Sequence, residues 1–179
     1  ALPIPVSFTG KELKNRTLPA QDWAAMTAFK KKALKLFNAV NATRSALNEM
    51  NSKLSAYKAA TKAFPAAEAN SLMKEVLALE EKVSGINIRL SGDGDYNRLD
   101  LDAPYNTRSR AQNTIFDIFG SNSNVTGTSE SGYEIAADEF SPILNDVKGL
   151  MRDFTTMDQK LGGMGAPLTP GRLPDWKKE

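Results

Sequence analysis

Carboxylates gather at one place in this chain, the run Asp93-Gly94-Asp95-Tyr96-Asn97-Arg98-Leu99-Asp100-Leu101-Asp102. Two chemistries could use them. The alternation Asp93, Asp95, Asn97 opens like a calcium loop, in which side-chain oxygens at alternate positions converge on a hard cation. The match stops at the sixth position, where Arg98 replaces the glycine that turns such a loop, and at the twelfth, where Pro104 replaces the bidentate glutamate. Asp93, Asp95 and Asn97 are the residues a metal would have to use. The metal-free reading is a polar connection ending with Asp102 as the N-cap of a helix that starts at Ala103-Pro104. The second chemistry is glycoside cleavage by paired carboxyls among Asp93, Asp95, Asp100 and Asp102. It needs two carboxyls held across a shaped cleft, one with its pKa raised. A short acid-rich loop supplies neither.

The remaining inventory is sparse. The 179 residues contain no histidine and no cysteine, which removes the commonest general base, the commonest transition-metal ligand, disulfides and thiolate metal sites. No catalytic residue and no cofactor is expected. Trp23, Trp176, Tyr96 and Tyr105 have rings that could stack on a sugar. Trp23 starts a helix near its apolar seam, and Trp176 ends a tail studded with Leu168 and Leu173, so packing is the simpler use. Trp23, Leu168, Arg172, Leu173 and Trp176 are accordingly the candidates for packing or interaction.

These residues need elements to hold them. Between Pro19 and Pro65 the segment Ala20–Phe64 has neither Gly nor Pro, and written in sevens it gives two apolar columns. Met26, Ala33, Val40, Leu47, Leu54 and Thr61 form one; Phe29, Leu36, Thr43, Met50, Tyr57 and Phe64 form the other. The spacing predicts one long helix with an a/d seam. A second helix, 66–91, follows from Leu72, Val76, Leu79, Val83, Ile86 and Leu90, with Gly85 marking a close helix contact or a bend. A third, 104–119, is expected to bury Ala111, Ile115, Ile118 and Phe119 and to turn Arg108 and Arg110 outward. The polar stretch 121–127 reads as a mobile loop. A fourth helix begins between Thr128 and Ser131, the latter forming a capping box with Glu134, and runs to Leu161. Its columns are Tyr133, Phe140, Val147, Phe154, Leu161 and Ala136, Ile143, Leu150, Met157, continuing in phase through Pro142. The fold class is all-α, an antiparallel four-helix bundle over 19–161 with extended N- and C-terminal segments. Residues 1–18 are read as a lead-in from a preceding β-domain, and 162–179 as a Pro/Gly-rich tail packed on the bundle.

Charge supports the assembly. The segment Ala20–Phe64 carries eight Lys or Arg against Asp22 and Glu49, whereas Thr128–Leu161 carries seven acids against three bases. The run Lys30-Lys31-Lys32 is therefore expected to face the acidic helix rather than nucleic acid. No apolar stretch approaches the ~20 residues that span a bilayer. A start at Ala1 reads as the start of a piece cut from something longer.

Three strings carry a resemblance. Leu13-Lys14-Asn15-Arg16-Thr17-Leu18-Pro19, Asp138-Glu139-Phe140-Ser141-Pro142-Ile143-Leu144, and Gly165-Ala166-Pro167-Leu168-Thr169-Pro170-Gly171-Arg172-Leu173-Pro174 together resemble the C-terminal region of large bacterial sortilin-like (VPS10-type) β-propeller proteins. Such proteins are often labelled glycosyl hydrolases with BNR or Asp-box repeats. The resemblance implies a non-catalytic helical module closing an exported protein, periplasmic or secreted. Its partner would be the preceding propeller or β-domain, and any hydrolytic site would belong to that propeller. The alternative is a module that binds carbohydrate or another polymer.

Overall fold

The computed structural model of the chain describes residues 23–121, 124–167 and 169, except for the side chain of Asn97, and every regular element within them is a helix. Helix α1 is Trp23–Thr61, α2 Ala66–Ser91, α3 the single turn Gly94–Arg98, α4 Thr107–Gly120 and α5 Gly127–Gly163. The lead-in 1–18, Ala20–Asp22, and the tail residues Leu168, Arg172, Leu173 and Trp176 lie outside the described residues. No described helix is long and apolar enough to cross a membrane.

The heptad columns are buried almost as written. In α1 the column Met26, Ala33, Val40, Leu47, Leu54, Thr61 is buried throughout; in the other, Leu36 and Phe64 are half-buried. All six periodic residues of α2 are buried. In α5 only Tyr133 stays half-exposed, its ring edge-on to Phe29 at 5.7 Å. Pro65 closes the first helix because its ring disfavours the α conformation of Phe64, and three i→i−3 bonds from Lys62, Ala63 and Phe64 tighten the last turn.

Helix directions follow from the cross-helix pairs. Glu75–Lys160, Lys82–Asp153 and Arg89–Asp146 climb α2 in steps of seven while descending α5 in steps of seven, so α2 and α5 are antiparallel and in heptad register. Lys32–Glu134 and Lys53–Asp158 climb both α1 and α5, which are therefore parallel. Arg110–Glu139 and the close approach of Thr114 to Gly132 set α4 antiparallel to α5. Helix α4 begins against the end of α2, with Thr107 3.4 Å from the Arg89 carbonyl and Asn106 lying over Gly92. The four long helices thus do not stand four abreast. Helices α1 (39 residues) and α5 (37) run side by side, and α2 (26) and α4 (14) follow one another along the third edge.

The main core holds the α2 half, from Val40, Leu47, Leu54 and Tyr57 of α1 to Phe140–Leu161 of α5. Tyr57, fully buried, donates to the Asp158 carboxylate at 2.7 Å, and the same carboxylate pairs with Lys53. A smaller cluster of Phe29, Ala33 and Ile118 holds the α4 half, with Ile115, Val125 and Tyr133 against it.

Several local expectations are corrected. Helix α4 is capped by Asn106, not Asp102: the Asn106 side chain accepts from Ser109 N (2.9 Å) while Asn106 N donates to Ser109 Oγ (3.0 Å), a reciprocal box that satisfies two first-turn donors. Helix α5 is capped by Thr126 rather than Ser131. Between α4 and α5, Val125 is half-buried against Phe29 and Ile118, so 121–127 is not merely polar filler. Phe119 is 54% exposed, its core place taken by Thr107 and Thr114, and Arg108 and Arg110 are half-buried. Gly85 makes no close helix contact, since an added Cβ would meet nothing within 4 Å. The C-terminal turn of α5 uses Gly165 at φ 72° after the glycine pair 162–163; Ala166 N bonds Leu161 O and Gly165 N bonds Gly162 O, a Schellman ending that sets Ala166 in the core.

The two helical glycines Gly85 and Gly132 consequently separate in sign. Gly85→Ala should raise stability by about 0.5–1 kcal/mol, since helix propensity is the only quantity that changes. Gly132→Ala should lower it, because its Cβ would sit 3.0 Å from the buried Thr114 Oγ1. Equal shifts in melting temperature would mean that α4 does not lie this close to α5.

Candidate docking surface

The carboxylates singled out by the sequence are spread rather than gathered. Asp93 Oδ1 accepts from Asp95 N at 3.0 Å, capping the single turn of α3, and Asp95 pairs with Arg98 at 3.2 Å. Asp100 takes the left-handed conformation at φ 54°, and Leu101 N reaches back to Tyr96 O at 2.9 Å, so this acid fills the position after a helix end that glycine usually holds. Asp100 and Asp102 are exposed, and among the described residues no group of three or more acidic side chains is placed to hold a metal. Asn97 is part of α3, its side chain undescribed. Nor do the grooves join free acids: Asp146 and Asp153, which share one, are each paired to a base of α2.

Trp23 is half-buried where α1 begins. Of the tail, Ala166 and Thr169 are buried, the other candidates lying outside the described residues.

What the structure assembles is an apolar face on the α4 half. Among the described residues, seven of the twelve exposed large hydrophobic side chains fall between Tyr96 and Ile135. Leu99 (61% exposed) and Leu101 (55%) stand on the connection into α4, and Tyr105 (66%) ends it. On α4 itself the stripe Thr107, Ala111, Thr114, Ile118 turns inward, which points Phe116 outward at 62% exposure. At Thr114 helices α4 and α5 come close, since a Cβ added at Gly132 would lie 3.0 Å from its Oγ1. Thr114 satisfies its hydroxyl on Arg110 O and Thr107 on Glu139.

Between α4 and α5 lies a groove of about 800 Å³ with Tyr105, Phe116 and Ile135 on its walls and Arg110, Asn113 and Asp117 among them. The Arg110 guanidinium stands 5.6 Å from the Tyr105 ring and its Nε is 3.5 Å from Glu139. Phe119 lies apart, with Lys30 Nζ 5.3 Å from its ring. Tyr105 was in view from the sequence; Phe116 and Ile135 were not, since only the phase of α4 against its two threonines distinguishes an outward phenylalanine from a core one. Such a groove offers apolar contact area together with a few orienting polar groups.

Comparison with family models, with curated proteins and with solved structures gives no match.

With the described acids dispersed, the stability of the chain is expected not to depend on divalent ions. Melting curves in calcium and in excess chelator should superimpose, whereas a ligand held only by the folded chain would raise the midpoint by mass action.

Proposed function

We propose that this chain is a non-catalytic helical module that docks, through the apolar face on its α4 half, onto the domain preceding it in a larger exported sortilin-like β-propeller protein of the periplasm or cell envelope. The observation that supports this reading is the contrast between the two halves. Along α2 three ion pairs in heptad register run to α5, while between α4 and α5 the exposed side chains of Tyr105, Phe116 and Ile135 meet in one groove. Any hydrolytic chemistry would lie on the propeller. The four long helices serve as one bundle-like unit that keeps this face in shape, with the extended termini leading to it and away from it.

The test uses the longer protein. Leu99→Ser with Leu101→Ser removes two exposed side chains and should leave the melting of this chain within about 0.5 kcal/mol. Small-angle scattering of the longer protein should show one rigid particle for the unmodified sequence and two loosely joined bodies for the double variant. A loosely joined unmodified protein would overturn the reading.

A second reading, carbohydrate or polymer binding, is favoured by the ring faces of Tyr105 and Phe116 set beside Arg110, Asn113 and Asp117 in one groove. Titration with oligosaccharides should then give saturable fluorescence changes that Tyr105→Ala abolishes; flat titrations exclude it.

A further inference from the structure

We propose that the groove between α4 and α5 is the seat of this chain's own N-terminal segment, with Leu2, Ile4, Val6 and Phe8 laid against Tyr105, Phe116 and Ile135. The inference rests on the docking reading above and names what covers this part of the face.

Reach selects the segment. Phe29 packs on Tyr133 and Lys32 pairs with Glu134, so, counting back along the two parallel helices, Trp23 stands level with Gly127 at the open end of the groove. From there Ile135 lies only about 12 Å further along α5. Fifteen residues separate Phe8 from Trp23, enough for about 50 Å of extended chain. The C-terminal tail does not qualify. Ala166 is fixed beside Leu161, about 39 Å along α5 from Ile135, and ten extended residues bring Trp176 no further than about 36 Å from Ala166.

Chemistry agrees with reach. The first ten residues carry no charged side chain, and their large apolar residues alternate, so an extended backbone turns all four to one side. Pro3 and Pro5 reduce the entropy lost on fixing that backbone. Behind them Lys11, Lys14 and Arg16 outnumber Glu12. The groove offers Asp117, which has no ion pair among the described residues. Tethering adds to this, since a segment joined by a short linker acts at an effective concentration near millimolar.

The experiment exploits the absence of native cysteine. Ser7→Cys faces away from the groove in the proposed pose and takes a nitroxide label. In the full chain, the amide resonances of Phe116, Ser131 and Ile135 should lose most of their intensity, while those of Glu75 and Met164 at the far end keep theirs. Adding Phe116→Asp and Ile135→Asp should restore the lost signals. The inference is overturned if the groove resonances keep their intensity, or if the loss persists in the double aspartate variant. It is equally overturned if the loss appears only between a labelled and an isotope-enriched molecule, which would make the occupant a second copy. In each of those cases the scattering result on the longer protein still decides the docking reading separately.

Discussion

A helix of 39 residues with an apolar seam along its whole length must be covered along its whole length, and everything else in this fold follows from that requirement. Helix α5 covers one flank because it is nearly as long and runs the same way. The other flank would need a third helix of equal length. The chain supplies it in two pieces, α2 and α4, end to end, and the break between them leaves the residues from Gly92 to Asn106 on the side of the rod rather than at an end. The lateral connection and the apolar face beside it are consequences of covering one long seam with two short helices.

The two pieces solve the packing problem differently. Helix α2 contributes leucine, valine and isoleucine to a thick core, and its flanks carry Glu75, Lys82 and Arg89 in heptad register with α5. Those pairs are between 42% and 59% exposed, so each is worth little in stability and serves mainly to fix register. Helix α4 instead sinks close to α5 through Ala111, Thr114 and Gly132. Close approach at Ala111 and Thr114 puts small residues on the inner face there, while Ile118 reaches the core further along and Phe116 and Phe119 stay exposed. The exposed Phe116 thus stands on the helix that makes the tight contact at Thr114 and Gly132.

This difference also determines what could be read in the sequence. Period and phase located α2 to the residue and placed every member of the α1 column that starts at Met26, because large apolar residues at heptad spacing leave one burial pattern open. In α4 the same reasoning assigned Phe119 to the core and missed Phe116, since residue type was trusted where two threonines held the phase. Helix direction was not legible. A seam tells which face is covered and says nothing of which way the covering helix runs; cross-helix contacts such as Lys32–Glu134 and Lys53–Asp158 reveal that α1 and α5 are parallel. In the acid-rich connection the helix cap was not legible, because Asn106 rather than Asp102 bonds reciprocally with Ser109.

Pro142 shows how sequence, break and surface are joined. In the antiparallel register that pairs Arg89 with Asp146 and Lys82 with Asp153, residue 142 of α5 falls opposite residue 93, where α2 has just ended. Pro142 indeed lines a groove with Gly92, Asp93, Asn106 and Thr107. Proline inside a helix removes the bond to the carbonyl four residues back, here Asp138, and loosens the helix at one level. The heptad phase is nevertheless kept, since Phe140, Ile143 and Val147 are all buried. Helix α5 therefore has its one point of give where its neighbour changes from α2, which keeps its distance through large side chains, to α4, which comes in close. A proline that looks misplaced in a 37-residue helix is placed where the two packing distances have to be reconciled.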